Sequence, residues 1–210
     1  MGMLDQPMCG GKVPFAQSET KKNLLRAFAG ESQARNRYTF AAGQAKKEGY
    51  ALVEKIFQFT ADQEKEHAKI FYNHLIEEGA AGENITIGAS YPVDQNGTTL
   101  ELLRSAHHNE YQEFEKEYPA FAEKAREEGY PAIAAHFQMI AKIEQSHGNR
   151  FQLYADMIEQ GKLFLNEGKT IWVCLNCGHI HTDAEAPQVC PVCNHPQGFF
   201  IRKTYEPYSC

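Results

Sequence analysis

The sequence predicts a mainly α protein: a four-helix bundle with one long crossover, followed by a small C-terminal ribbon organised by cysteines. Three observations carry this. Helical periodicity runs through four stretches of about 28 to 30 residues, each roughly 43 Å long. Two of the connections are too short for anything but antiparallel neighbours, whereas the middle one, of about 19 residues, can span roughly 60 Å when extended. Beyond the last helix stand two Cys-x-x-Cys pairs, Cys174/Cys177 and Cys190/Cys193.

At 210 residues the chain can bury a real core as one or two domains. A formal net charge of −6, with Lys and Arg interspersed among Glu, argues against a nucleic-acid surface. No apolar run approaches the ~18 residues of a membrane span. The first 18 residues lack a basic stretch followed by an apolar one, so the expected compartment is the cytoplasm. Four of the six cysteines fall in the two close pairs, which without an export signal reads as metal binding and not disulfides.

Residues 1–18 are expected as an irregular extension, with Cys9 a free thiol. The first helix runs from about Glu19 to Glu48, with Ser18 as N-cap and Gly49 past its end. The second spans about Ala51 to Glu78 and stops at Gly79. From Ala80 to Thr98 the chain is Gly-rich, with Pro92 and the turn pair Asn96-Gly97, and its alternating Ile85 and Ile87 suit an extended crossover. The third helix spans about Thr99 to Glu128, bent at Pro119, and the fourth runs from Pro131 to near Gly161. The expected domains are thus residues 19–166 for the bundle and 167–205 for the ribbon, with a tail at 206–210.

Each helix interrupts its apolar stripe with acid near its middle. In the fourth the stripe is Ile133, Phe137, Ile140, Glu144, His147, Phe151, Tyr154, Ile158; in the second it is Val53, Phe57, Thr60, Glu64, His67, Phe71. The first carries Leu24, Phe28, Glu31, Ala34, Tyr38, and the third Leu103, Ala106, Glu110, Glu113, then Phe121. Glu64-x-x-His67 and Glu144-x-x-His147 each aim a carboxylate and an imidazole from one helix face. Unpaired carboxylates in such seams cost several kcal/mol. Acids at one level on all four helices, two with His at i+3, point instead to a buried pair of iron or manganese ions. In the bundle template of this kind, Glu31 and Glu110 are the single acids, Glu64 and Glu144 bridge, and Glu113 is one acid more than needed.

Tyr38 lies seven residues after Glu31 and Tyr118 eight after Glu110, within reach of a ligand carboxylate, although a buried tyrosine at helical spacing is equally at home as core. Arg35, Arg37 and Lys46 read as solvated or as balancing the acids. His107, His108 and His136 read as structural, and His74 as a weak ligand candidate. In the ribbon, Cys174, Cys177, Cys190 and Cys193 can close a tetrahedral sulfur site without which so short a segment would hardly fold. Four thiolates suit iron and zinc alike. His179, His181 and His195 are then surface residues.

The run Ala27-Phe28-Ala29-Gly30-Glu31-Ser32-Gln33-Ala34-Arg35-Asn36-Arg37-Tyr38, with Thr60-Ala61-Asp62-Gln63-Glu64-Lys65-Glu66-His67-Ala68-Lys69, resembles rubrerythrin, and the match extends from about Thr20 to Phe200. The resemblance implies a ferritin-like di-iron bundle with a C-terminal rubredoxin-like domain holding one iron, zinc being the alternative. It implies that Glu113 is the family's added ligand, bound in the oxidised form where His67 is bound in the reduced form. It supports Tyr38 and Tyr118 as partners of ligand carboxylates. The implied activity is reduction of hydrogen peroxide to water, with electrons from a rubredoxin or an NAD(P)H-dependent reductase. It also implies a homodimer in which one chain's iron–sulfur module approaches the other's di-iron site. The extension before Glu19 and the tail through Cys210 depart from the family. Two other functions compete: a ferroxidase or oxidase using oxygen, and a non-catalytic zinc-ribbon binding protein.

Overall fold

The computed structural model describes residues 11–94 and 97–205, so Cys9, Asn96 of the turn pair and the 206–210 tail lie outside the described residues. Helix α1 (Glu19–Lys47) opens where Ser18 Oγ accepts the Lys21 N–H at 3.1 Å, a cap of about 1 kcal/mol. The segment before it is less irregular than expected. Phe15–Gln17 form a 3-10 turn, and Val13 N–H donates to Glu128 O at 3.0 Å, tying the segment to the far hairpin.

Helix α2 (Ala51–Leu75) runs on through a wide π-turn, Ile76–Ala80, in which Gly79 leaves the helical region. The crossover then follows α1. Glu83 pairs with Lys21 at 2.5 Å, Gly88 O accepts from Arg26 Nε at 3.0 Å, and Asp94 pairs with Arg37 at 2.9 Å. As the crossover advances, its partner on α1 advances too, so the two run parallel. The chain is thereby delivered to the opposite end of the bundle, where the Glu48 carboxylate accepts the Thr99 N–H at 3.0 Å. Ile85 and Ile87 are half-buried, as their alternation implies.

The third helical stretch differs from expectation. It is α3 (Thr99–Gln112), a π-turn at Glu113–Glu117, and α4 (Tyr118–Glu127). Within the π-turn the Tyr118 N–H reaches back five residues to Glu113 O. Pro119 has no N–H to offer the ladder and stands just beyond the break. One extra residue in a helix rotates all that follows. Phe121, expected in the core stripe, is therefore only half-buried, and Tyr118, Ala122 and Ala125 are buried instead. On α1, Ala27 and not Phe28 faces fully inward.

Helix α5 (Pro131–Glu159) completes the bundle. Its core forms two apolar clusters, one including Tyr38, Phe57, Leu103 and Phe151, the other Leu24, Phe71, Tyr118 and Phe137. Each fully buried Phe contributes about 1.5–3 kcal/mol. The polar mid-helix residues lie between these clusters.

Beyond the bundle, β1 (Leu165–Cys174), β2 (Ile180–Glu185) and β3 (Phe200–Arg202) form an antiparallel sheet in the order β2-β1-β3. Trp172 is fully buried beneath it and donates to Asp183 O at 3.1 Å. Val173 and Ile201 extend the Tyr38 cluster, so the ribbon sits on that end of the bundle. A Cβ on Gly198 would stand 1.9 Å from Gly49 O, so only glycine permits this seat against the α1–α2 hairpin.

Candidate metal centres

Helical spacing places the mid-helix ligand types at one level, and the structure brings six of the seven candidates together. Glu31, Glu64, His67 and Glu144 form one group, and Glu64, Glu110, Glu144 and His147 a second; in each, the ligand atoms lie within 4.8 Å of one another and every residue is buried. Glu64 and Glu144 belong to both. His67 Nδ1 is 3.0 Å from Glu144 and 3.1 Å from Glu64, and His147 Nδ1 is 2.9 Å from each of the same two carboxylates.

Of these contacts only that of His67 Nδ1 with Glu64 Oε2 has hydrogen-bond geometry. Glu31 Oε2, Glu64 Oε1, Glu110 Oε2, both oxygens of Glu144 and His147 Nδ1 are buried without a hydrogen-bond partner. Buried polar atoms that crowd together without bonding one another converge on a common point, which is what cation ligands do. Four carboxylates also match the charge of two divalent cations.

Protonation of the metal-free site follows the same demand for charge balance. Burial pushes the Glu31 carboxyl well up, aided by Glu144, and raises Glu110 to about 8, aided by Glu64. Burial opposes charge on His147, but the surrounding carboxylates, Glu110 first, overcome it and hold the imidazole at about 12. His67 is raised in the same way, with Glu144 the first carboxylate. Burial likewise opposes ionisation of Glu64, and the two histidines reverse it. A metal-free layer thus takes up protons where cations belong.

Two tyrosines brace the layer crosswise. Tyr38 on α1 donates to Glu110 on α3, and Tyr118 on α4 donates to Glu31 on α1. Each ring is packed between two phenylalanines: Tyr38 with Phe57 and Phe151 at 6.1 and 5.1 Å, Tyr118 with Phe71 and Phe137 at 5.6 and 5.8 Å. Burial, then the accepting carboxylate, pushes both phenols well above their ordinary range, so they stay donors. The π-turn explains their unequal spacings, because the extra residue lets Tyr118, eight after Glu110, match Tyr38, seven after Glu31.

Sequence reasoning missed Gln63 and Arg150. Arg150 Nη1 donates to Thr60 Oγ1 at 3.0 Å and to Gln63 Oε1 at 3.3 Å. A guanidinium only donates, so the Gln63 oxygen must face it. The same oxygen is 3.1 Å from His147 Nε2, which must therefore carry the hydrogen. Nδ1 is then the nitrogen left to take a metal or a proton. The signal in the sequence is faint: a glutamine beside Glu64 at a position one turn from Thr60.

Glu113 joins neither group. It is half-buried at the start of the π-turn, beside Gly30. Burial, and next the charge of Glu31, pushes its carboxyl well up, so it lies within electrostatic reach of the layer. His74 pairs with His136 at 2.6 Å, away from both groups. His107 bonds Gly148 O at 3.0 Å, and His108 and Arg35 are exposed.

In the ribbon, Cys174, Cys177, Cys190 and Cys193 form a third group. Cys174 and Cys193 sulfurs are 3.7 Å apart, as are those of Cys177 and Cys190. Four thiolates about 2.3 Å from a tetrahedral ion stand about 3.8 Å apart, whereas a disulfide measures about 2.05 Å. The two knuckles are built alike. Gly178 and Asn194, each following the second cysteine, have φ of 76° and 58°, which turns the next N–H, of His179 or His195, onto that sulfur. The His195 N–H is the leading cause that holds the Cys193 thiol at about 6. His179, His181 and His195 are half-buried, short of the surface positions expected, and none joins the group.

Known proteins carry the same features. The family model described as rubrerythrin matches residues 22–155, and that of the rubrerythrin rubredoxin-like domain matches 172–201. Rubrerythrin of Porphyromonas gingivalis is 48% identical over 87% of this chain and 89% of its own. That of Clostridium perfringens is 47% identical over 90% and 97%. A solved structure of nigerythrin in its fully reduced, all-ferrous state is 28% identical and matches with a TM-score of 0.58 over 96% of this chain and 100% of that one. A bacterioferritin of Desulfovibrio desulfuricans, 22% identical with a TM-score of 0.62 over 69% of this chain and 82% of that chain, shares the bundle fold. The chain belongs to the rubrerythrin family, with a di-iron carboxylate site in its ferritin-like bundle and a four-cysteine iron site in its rubredoxin-like domain.

Proposed function

We propose that this protein is a non-haem iron peroxidase that reduces hydrogen peroxide to water and serves in oxidative-stress defence. The observation that carries the reading is the union, in one chain, of a two-metal carboxylate layer with a four-thiolate site. Splitting one peroxide takes two electrons and two protons and leaves two waters. When bound, the iron pair supplies both electrons and Lewis acidity, and the thiolate iron passes single electrons. Iron storage has no need of such an inlet, which sets the ferroxidase reading second.

In this reading Glu31, Glu64, His67, Glu110, Glu144 and His147 would hold the pair, Glu64 and Glu144 belonging to both ligand groups. Glu113 would serve as the added carboxylate ligand, in place of His67, in the oxidised form. Tyr38 and Tyr118 fix the orientation of Glu110 and Glu31, and Gln63 keeps the His147 Nδ1 lone pair turned inward. Cys174, Cys177, Cys190 and Cys193 hold the single iron. Electrons come from a rubredoxin or an NAD(P)H-dependent reductase, and the working form is a cytoplasmic homodimer. Among the described residues no helix is long and apolar enough to cross a membrane.

The test is steady-state turnover with NADH, a reductase and hydrogen peroxide, with NADH and peroxide consumed in equal amounts. Cys193→Ser, lacking one thiolate, should lose that turnover while its chemically reduced bundle still consumes a single charge of peroxide. Turnover at the wild-type rate in Cys193→Ser would remove the electron-inlet argument.

A further inference from the structure

Between α1, the crossover and the π-turn lies a cavity of about 220 Å³. Glu113 and Tyr118 line its inner side, Tyr91 of the crossover its outer side, and Gly30 of α1 stands between them. Because Tyr118 donates to Glu31, the inner wall is one hydrogen bond from the di-iron layer.

Gly30 has no backbone reason to be glycine. It sits in mid-helix outside the positive-φ residues, where alanine is the more stable choice. A Cβ there would meet Tyr91 Cε1 at 3.6 Å and Glu113 Oε1 at 3.9 Å, ordinary contacts that demand no displacement. What a side chain would remove is open space beside Glu113. Tyr91, meanwhile, is pinned: its hydroxyl donates to Arg26 O at 2.9 Å, and Arg26 Nε donates to Gly88 O at 3.0 Å. The crossover is thus held as a fixed outer wall with its aromatic ring over the gap.

We propose that this cavity is the vestibule through which a small oxidant reaches the di-iron site, and that Gly30 and Tyr91 set the size admitted. The identity of that oxidant rests on the peroxidase reading; the route does not. Azide, a linear triatomic anion, is the probe, its binding to the oxidised, iron-loaded protein followed by stopped-flow absorption. Gly30→Ala is expected to melt higher than wild type yet to bind azide about threefold more slowly, and Gly30→Leu about tenfold more slowly, at unchanged iron content. A purely structural glycine would not pair higher stability with slower entry. Tyr91→Ala should speed azide entry and raise turnover of tert-butyl hydroperoxide relative to hydrogen peroxide. Equal azide rates in wild type and Gly30→Ala overturn the vestibule, whatever Gly30→Leu does. Azide entry that depends on Gly30 in a protein that leaves peroxide unreduced overturns only the peroxidase reading.

Discussion

His147 Nε2 and Gln63 Oε1 lie 3.1 Å apart, and Arg150 decides which of them carries the hydrogen. The guanidinium fixes the glutamine as acceptor, the glutamine fixes the imidazole Nε2 as donor, and Nδ1, facing Glu64 and Glu144, is left to take a metal or a proton. Gln63→Leu removes the acceptor while keeping most of the volume. Iron affinity should fall about 10- to 100-fold, read by competition with a chelator, while Gln63→Glu, which keeps an acceptor, should retain it. Equal affinities in Gln63→Leu and wild type would leave Gln63 as packing alone.

The crosswise tyrosines yield a second prediction. Tyr38→Phe and Tyr118→Phe each leave a buried carboxylate oxygen without its donor, which costs about 1–3 kcal/mol. In a chain of this size that lowers the melting temperature by about 2–4 °C per kcal/mol. The two braced carboxylates share Glu64 and Glu144 as neighbours, so the two effects in the double variant should depart from additivity by more than about 0.5 kcal/mol. Calorimetry of the iron-loaded variants checks both points.

The stripes on α2 and α5 were legible in the sequence save at the end of α5, where Met157 is buried and the expected Ile158 only half so, because an acid or imidazole at a core position stands out against its apolar neighbours. The four cysteines were legible for the same reason of spacing. The π-turn at Glu113–Glu117 was not, since an inserted residue leaves no compositional mark. Its trace was the eight-residue step from Glu110 to Tyr118 beside the seven-residue step from Glu31 to Tyr38. Gln63 and Arg150 stayed hidden because their meeting depends on how α2 and α5 pack, which no local pattern encodes.

Glu113 stands at the head of that π-turn, outside both ligand groups. Glu113→Ala should therefore leave both metal sites filled while slowing peroxide turnover. Metal analysis alongside steady-state kinetics reads the two effects separately, and unchanged turnover would remove the added-ligand role.

The protonation of the metal-free site predicts an unusual pH dependence. Glu110 is raised in the folded protein from an ordinary 4.5 to about 8 by burial and then Glu64, so its contribution to stability is full below 4.5 and lost as pH rises through about 8. His147, raised to about 12 against burial by its carboxylates, contributes fully below 6.5 and loses that contribution on the way up. From pH 5 to 6.5 only the Glu110 contribution falls and from 6.5 to 8 both fall, so the metal-free protein should melt lower at pH 8. Iron must displace these protons, so the gain in melting temperature on iron loading should grow over the same interval. Paired melts of metal-free and loaded protein at pH 5 and 8 test the sign directly.

In the proposed function the iron pair reacts with peroxide and is refilled through the thiolate site. Anaerobic stopped-flow on the fully reduced protein, after metal analysis of the same sample, tests it most directly. Hydrogen peroxide and oxygen are mixed in separately while the visible band of the thiolate iron is followed. Three irons per chain are expected, with peroxide reoxidising that band much faster than oxygen. A zinc-filled thiolate site, or oxygen as the faster oxidant, would contradict the proposed function and move the ferroxidase reading to first place.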